Sequence, residues 1–302
     1  MNANATMKFC ESDAADKDCA IYHGDCLKLM QKIPDHSVDL ILCDLPYGTS
    51  DRAGLRNKGA NRLYEWDCEI DLDELWAHYK RLLAADGNVV LTADQPFTAK
   101  LIMSNLDWFK YDLIWDKCRV NGFLHANSRP MKQTEDIVVF SPLGAAPASR
   151  QSGKHMKYNP QGLLPVSIKK SNNAKRLGNF LHTPEHMGAN GKLLGNSGYE
   201  QKFTNYPKEI LRFPLDKCLH PTQKPVALMD YLIRTYSNKG DTVLDNCMGV
   251  GTTGVAAVNC GRNFIGIEIN DAFFAAARAR IQNKPPKNMV ATRPDAVSLL
   301  AQ

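Results

Sequence analysis

Thr242-Val243-Leu244-Asp245-Asn246-Cys247-Met248-Gly249-Val250-Gly251-Thr252-Thr253-Gly254 runs from a short apolar stretch through an acid into a turn of small residues. A helical pattern, Val255 to Asn259, follows. The spacing predicts a buried strand, a glycine turn and a helix start. Small residues there let backbone approach a ligand closely, and the first helical N–H groups are left free for it. No Lys follows the glycines, so this is not a phosphate loop, and the G-x-G-x-x-G spacing of a dinucleotide site is absent. Asn263-Phe264-Ile265-Gly266-Ile267-Glu268 reads as the next strand. Its terminal acid falls about twenty residues past the glycines, where a ribose diol needs a carboxylate acceptor. Glycine turn and strand-end acid together fit an adenosine-bearing cofactor.

Upstream, Val38-Asp39-Leu40-Ile41-Leu42-Cys43 is another apolar run, closed by Asp44-Leu45-Pro46-Tyr47-Gly48. Pro46 leaves little room for a helix, so this too reads as a strand, with a carboxylate and an aromatic face at its carboxyl end. Open α/β sheets place their chemistry there. Strands are also expected at Val89 to Ala93, Leu113 to Trp115 and Ile137 to Phe140. Helices are expected at Asp71 to Ala85, Pro96 to Asn105, Pro225 to Ser237 and Asp271 to Gln282, the last capped by Asn270 or Asp271. This alternation predicts a doubly wound, mostly parallel sheet with helices on both faces.

Asp-Leu-Pro-Tyr at Asp44 to Tyr47, combined with Asp-x-x-Met-Gly-x-Gly-Thr-Thr-Gly at Asp245 to Gly254, resembles the amino-group DNA methyltransferases that use S-adenosylmethionine. Because the catalytic motif precedes the cofactor motif, the order resembles the permuted β group, and an adenine-specific enzyme with a Rossmann-like sheet is implied. The similarity spans roughly residues 19 to 144 and 205 to 283 and includes His23-Gly24-Asp25-Cys26, Tyr111 to Trp115, Glu135 to Phe140 and His220-Pro221-Thr222-Gln223-Lys224-Pro225. The resemblance implies that Asp44 and the Leu45 carbonyl accept the two amino protons of the base. It also implies that Pro46 stiffens the turn and that Tyr47 stacks on the base once it is flipped out of the duplex. For the cofactor it implies Glu268 on the ribose and Asp25 with Cys26 at the adenine. Met248, Gly249 and Gly251 would give close approach. Asp44, Thr222, Lys224, Asp245, Thr252 and Thr253 would lie toward the amino-acid end. Asp25 and Asp245 could instead be caps of a helix or turn, and Thr222 a cap of the following helix. Leu45 stands where the family usually has Pro, and Asn246-Cys247 replaces a more usual Pro-Phe; neither change removes a reacting group.

The chain of 302 residues is 44% hydrophobic, ordinary for a globular protein. No apolar stretch approaches the roughly 18 residues of a membrane span. Met1 to Lys17 lack an apolar signal core, so a cytoplasmic location is expected. Nine cysteines, an odd number without a C-x-x-C pair, point to reduced thiols rather than disulfides or a zinc site, and no metal is expected. Net charge is +5, but residues 145 to 215 hold eleven Lys or Arg against three Glu, which leaves the remainder at −3. That segment, rich in Gly, Asn, Ser and Pro and without sustained periodicity, is either a solvated insertion or a surface for phosphates and base edges. In the permuted family the target-recognition region stands here, so Lys169, Lys170, Lys175 and Arg176 are expected to bind double-stranded DNA. The expected organisation is a tail at 1–18, a catalytic half at 19–144, the insertion at 145–215, a cofactor half at 216–284 and a tail at 285–302. Residues 51–67 read as a loop in which Trp66 either closes the site or anchors the loop to the fold. A homodimer is implied by the family alone.

Competing readings are fewer. Carbon methylation of cytosine needs a Pro-Cys dipeptide, which the chain lacks. Methylation of the cytosine amino group is the runner-up, although related enzymes more often carry Ser at the position of Asp44. A DNA-binding protein without activity is the third reading.

Overall fold

A computed structural model describes residues 19–48, 68–170, 199–216 and 223–282. The expectations placed on residues 51–67, on Lys175, Arg176 and Thr222, and on both tails lie outside the described residues. Two compact units are resolved, one built from the chain up to Asn159 and from Glu209 onward, the other from Pro160–Lys208.

Among the described residues the first unit holds an eight-stranded sheet ordered β1-β10-β9-β2-β3-β5-β4-β8. Its strands are β1 (Cys19–His23), β2 (Val38–Asp44), β3 (Leu83–Ala93), β4 (Phe109–Asn121), β5 (Lys132–Phe140), β8 (Ile210–Arg212), β9 (Thr242–Asp245) and β10 (Asn263–Glu268). The pairings of β1, β10, β9, β2 and β3 are parallel; β5 runs antiparallel to both β3 and β4, and β8 parallel to β4. Only β5 opposes the rest, as expected of a mostly parallel sheet. Side chains alternate between two cores, Leu40 and Leu42 facing one, Ile41 and Cys43 the other. The first core takes Leu228, Leu232 and Ala256 from helices α5 (Val226–Tyr236) and α6 (Thr252–Asn259), and Ile281 from α7 (Asp271–Gln282). The second takes Met30 from α1 (Cys26–Met30), Leu75, Trp76 and Tyr79 from α2 (Leu72–Leu82) and Leu101 from α3 (Phe97–Ser104). A short α4 (Pro147–Gln151) follows β5. Apolar runs on strands buried on both faces are what such a three-layer stack requires.

Local chemistry sets the helix ends. Asp71 caps α2 by accepting from the Glu74 N–H at 3.0 Å. That helix stops before the expected Ala85 because Leu83 is already paired with Val38 in the sheet. Asn270, rather than Asp271, caps α7, accepting from Ala272 and Phe273 at 3.0 and 3.1 Å. Helix α6 begins at Thr252, three residues earlier than periodicity suggested, since Gly251 at φ 78° makes the left-handed turn into it.

The second unit is narrower than the 145–215 segment delimited by composition. Met156 is buried in the main core, and Lys157 forms ion pairs with Asp39 (2.9 Å), Asp241 (3.1 Å) and Asp86 (3.3 Å). Burial works against that ammonium, but the carboxylates of Asp39 and Asp241 outweigh it and push it up to about 12. Lys157 is therefore a staple of the main unit and not part of a basic surface. At the other boundary, β8 joins the edge of the large sheet. Within Pro160–Lys208, β6 (Leu164–Lys170) pairs antiparallel with β7 (Tyr199–Thr204), and Ser167 donates to Glu200 at 2.7 Å. This ribbon escaped the periodicity reading because Leu164, Ile168 and Phe203 are all 40% or more exposed, so no buried face imposes alternation. The unit carries seven Lys or Arg against two Glu, net +5.

Candidate active site

Sheet order puts β9 beside β2, while the chain leaves β2 toward β3 and β9 toward β10. Connections diverging from adjacent strands open a crevice outside their carboxyl ends. Into it come Asp44 from β2, Asp245 from β9 and Glu268 from β10, with Thr92 of β3 in register with Asp44.

Both Asp44 oxygens are engaged. The Tyr47 hydroxyl donates to Oδ1 at 2.7 Å, Thr92 donates to the same oxygen in a short contact, and Lys224 Nζ reaches Oδ2 at 2.8 Å. Lys224 also pairs with Glu135 at 3.2 Å, and Lys117 meets the other Glu135 oxygen at 2.8 Å. Lys224 is only 5% exposed. Burial acts to lower its affinity for protons, but Asp44 and Glu135 outweigh burial and hold it above the ordinary ammonium range. Glu135 is the mirror case: burial pushes it up, Lys224 and Lys117 push it down further, and it ends below the usual carboxylate range. Two buried cations and two partly buried carboxylates thus form a neutral tetrad. The Tyr47 ring stacks on Phe97 with centroids 5.5 Å apart, and Lys224 sits 5.5 Å from the same ring. Burial, then Asp44, keep the Tyr47 phenol protonated well above its ordinary range, so it acts as a donor. Leu45 is buried beside it.

The glycine turn forms the second half. Gly249 and Gly251 have φ 52° and 78°; a Cβ placed on Gly249 meets no atom within 4 Å, so space lies open there, whereas one on Gly251 would come within 2.9 Å of Ala277, so that glycine is small for the packing of α7 and not for a ligand. Gly254 serves differently: a Cβ there would come within 2.7 Å of Phe264, so its absence lets α6 lie close on β10. Glu268 accepts from Gly249 N and Asn270 N, both at 2.8 Å. Burial raises it and those N–H groups oppose the rise without cancelling it. Asp245, 2% exposed, is pushed up to about 7 by burial, against the opposing hydrogen bonds of Thr253 and the Cys247 N–H. Met248 and Thr252 are buried alongside, and Arg280 donates to the Val250 carbonyl at 2.6 Å and to Thr252 at 3.3 Å. Asp25 caps α1 through the Leu27 N–H at 3.0 Å, the alternative that its position also allowed. The donor set fits an adenosine-bearing amino acid: strand-end acids for hydroxyl and ammonium groups, an open turn at Gly249, and the N-terminus of α6 for a carboxylate.

The profile of the DNA methylase family matches residues 38–279, taking in both halves of this crevice. The chain belongs to the N6/N4 DNA methylase family. It is 31% identical over 268 residues to the DNA adenine methyltransferase YhdJ of Escherichia coli K12, covering 86% of this chain and 82% of that one. To the Type II methyltransferase M.HinfI of Haemophilus influenzae it is 29% identical, over 88% of this chain and 69% of the relative. The crystal structure of an M1.HpyAVI–SAM complex has the same fold, with a TM-score of 0.53 at 24% identity over 87% of this chain and 99% of the other. The family resemblance drawn from the motifs is borne out.

Within this DNA methylase, sequence reading placed Lys224 at the cofactor's amino-acid end; the structure brings it onto Asp44 and Glu135. Thr92, Lys117 and Glu135 were not anticipated. A signal for Thr92 existed, a hydroxyl ending an otherwise apolar strand, but Lys117 and Glu135 reach the site only through the β4–β5 hairpin. The Pro-Phe departure is also accounted for: Tyr79 donates to Asn246 at 2.6 Å in the core, and Cys247 hydrogen-bonds with both Cys26 and Cys43. Burial pushes the Cys43 thiol up to about 12, and Cys26 is raised first by its bond to Cys247, so both stay protonated. Among the described residues no cluster of His, Cys, Asp or Glu is placed to hold a metal, and no helix is long and apolar enough to cross a membrane.

Proposed function

We propose that the chain methylates the exocyclic amino group of adenine in duplex DNA, using S-adenosylmethionine. The observation that carries this is the placement of Asp44-Leu45-Pro46-Tyr47 beside the glycine turn and Glu268, across one crevice in a DNA methylase sheet. When bound, the cofactor supplies a methyl group on an electron-poor sulfonium. An adenine amine is a weak nucleophile because its lone pair is delocalised into the ring. Asp44 accepts a hydrogen bond from one amino N–H and the Leu45 carbonyl from the other, which turns the lone pair toward the methyl donor, and after transfer the nitrogen sheds one proton toward Asp44 or water; most of the rate comes from that positioning. Positive charge growing on the nitrogen is opposed by the Asp44 carboxylate, fixed in advance by Lys224 and Thr92. To reach Oδ1 the amine displaces the Tyr47 hydroxyl, and the freed ring stacks on the base, which requires the base to leave the duplex. On this reading Glu268 takes the ribose hydroxyls, Asp25 and Cys26 the adenine of the cofactor, and Asp245 with Thr252 and Thr253 its ammonium end; Thr222 belongs with that end by resemblance.

The net +5 of Pro160–Lys208, with Lys169 and Lys170 on its ribbon, supports a role in holding phosphates of the DNA, and on this reading the protein works on DNA in the cytoplasm or nucleoid. A homodimer around one duplex is part of this reading by resemblance alone and is tested by sedimentation with DNA. The decisive assay is incubation with unmethylated duplex and isotope-labelled S-adenosylmethionine, followed by mass analysis of nucleosides. N6-methyldeoxyadenosine is expected; N4-methyldeoxycytidine would select the cytosine reading, and no labelled nucleoside the binding protein. Asp44→Ala should abolish transfer while leaving S-adenosylmethionine binding within about twofold (~0.4 kcal/mol), because on this reading the carboxylate faces the base and not the sulfonium carrier, although resemblance also set Asp44 near the cofactor's amino-acid end.

A further inference from the structure

Residues 117–133, the distal part of the β4–β5 hairpin, contain Lys117, Arg119, Arg129 and Lys132 and no Asp or Glu. Lys117 and Lys132 are committed at its base, to Glu135 and Asp94. Arg119 and Arg129 are exposed and form no ion pair among the described residues. At the tip Gly122, at φ 90°, turns the chain into a single 3-10 turn, Phe123–His125. That turn holds Phe123 82% and Leu124 96% exposed, with Val120 and Met131 more than 40% exposed on the flanks. Large apolar groups held in water at a hairpin tip gain free energy only against a partner.

The hairpin's position indicates which partner. Strand β5 follows β3 only to the pair Ala93–Asp136, and Asp44 lies level with Thr92, opposite Ile137. Lys132, paired with Asn121, is five residues farther along β5, roughly 17 Å at strand rise. The tip therefore stands well beyond the carboxyl edge of the sheet, on the side where Asp44, Asp245 and Glu268 open. A second copy of this ribbon would bring like charges together, whereas a polyanion matches it.

We propose that the β4–β5 hairpin is a wedge for duplex DNA: Phe123 and Leu124 enter the base stack next to the target adenine, and Arg119 and Arg129 hold the adjoining phosphates. Apolar side chains inserted at a base step unstack it and lower the cost of extruding a neighbour. The proposal rests on the base-flipping reading above, and the two are tested apart.

The probe is an oligonucleotide duplex carrying the sequence that long-read mapping shows the wild-type enzyme to modify, prepared fully paired and with an abasic site opposite the target adenine. In Phe123→Ser/Leu124→Ser, whose changes touch no core, single-turnover methylation of the paired duplex should fall at least about tenfold (~1.4 kcal/mol). On the abasic duplex it should stay within about threefold of wild type, because the pairing that the wedge helps to break is already gone (~0.7 kcal/mol). Arg119→Gln/Arg129→Gln should lower the slope of log Kd against log salt by up to about 1.8. An unchanged rate on the paired duplex, or equal loss on both duplexes, overturns the wedge. So does a wild-type dimer that the Ser variant converts to monomer with DNA binding unaltered, which would assign the tip to self-association. With 2-aminopurine at the target position, a fluorescence rise in wild type that persists in the Ser variant overturns the wedge alone; no rise in wild type overturns base flipping and the wedge together.

Discussion

Replacing Lys224 by Met tests the tetrad most directly. The substitution removes one of two cations shared by Asp44 and Glu135, at a position 5% exposed, and supplies no group that could take its hydrogen bonds. Breaking a buried pair by deleting one partner costs about 3–5 kcal/mol, because the surviving charge is left without compensation. Lys117 still faces Glu135 at 2.8 Å, which favours the lower part of that range, while Asp44 keeps only Tyr47 and Thr92 as donors. Urea unfolding at pH 7 should therefore show a loss of about 3 kcal/mol. Adding Glu135→Gln to the variant should recover part of it, with a coupling of about 1–3 kcal/mol. The sign of the pH dependence follows from Glu135, whose folded-state affinity for protons is lowered by Lys224 and Lys117. Its stabilisation is present above its unfolded pKa and is lost as pH falls through the folded value, so the gap between wild type and Lys224→Met should narrow below about pH 4.5. Methyl transfer should fail in the variant even where it is folded. A Lys224→Met protein within about 1 kcal/mol of wild type at pH 7, or strictly additive effects with Glu135→Gln, would refute the tetrad as a coupled unit.

Three further outcomes are expected. Glu268→Ala should weaken S-adenosylmethionine binding by roughly 1.5–3 kcal/mol, read by calorimetry, and an unchanged Kd would mean that Glu268 serves only the N–H groups of Gly249 and Asn270. Asp245→Asn should be more stable than wild type at pH 8 without cofactor, by up to about 4 kcal/mol; the acid, held at about 7 when folded, favours the native state below its unfolded pKa and loses that advantage as pH rises through 7. A difference that did not grow between pH 4 and pH 8 would contradict this. Neutralising Lys169, Lys170, Lys175 and Arg176 together should weaken DNA binding at every sequence and flatten its salt dependence by up to about 0.9 in slope per lost phosphate contact; identical salt titrations would remove the Pro160–Lys208 unit from the DNA-binding account.

Strand-end acids were legible before any coordinates because each closes an apolar run: Asp44 after Val38 to Cys43, Asp245 after Thr242 to Leu244, Glu268 after Asn263 to Ile267. A parallel sheet buried on both faces writes such runs into the sequence, and the crevice at their ends follows from topology. What could not be read were meetings between distant segments. Lys224 carries a motif that pointed to the cofactor, yet its two partners sit on β2 and β5, and nothing local to residues 220–225 encodes that choice. Lys157 likewise looked like one more cation in a basic stretch, although three carboxylates from β2, the loop ending at β9 and Asp86 claim it. The β6–β7 ribbon was hidden for the opposite reason, since with neither face buried its sequence has no period to show.

The tetrad's composition bears on why it is there at all. Asp44, Glu135, Lys224 and Lys117 come from β2, β5, the lead into α5 and β4, so four separate segments must be in place before all of the charges are compensated. Networks of this kind seldom add net stability, and a well-packed apolar quartet of similar volume would serve the fold as well or better. A stability role therefore leaves the arrangement unexplained. On the proposed reading a chemical role accounts for it: an amine that grows positive needs a carboxylate oriented in advance, and Lys224 and Thr92 hold Asp44 in place. Lys224 compensates Asp44 through Oδ2 and leaves the Oδ1 side to Thr92 and Tyr47, and in the proposed reaction the incoming amine replaces the Tyr47 hydroxyl without stripping the site of its cation. Glu135 then balances Lys224 from its other side and is itself compensated by Lys117, so that the cation beside the reacting nitrogen does not repel the charge forming on it.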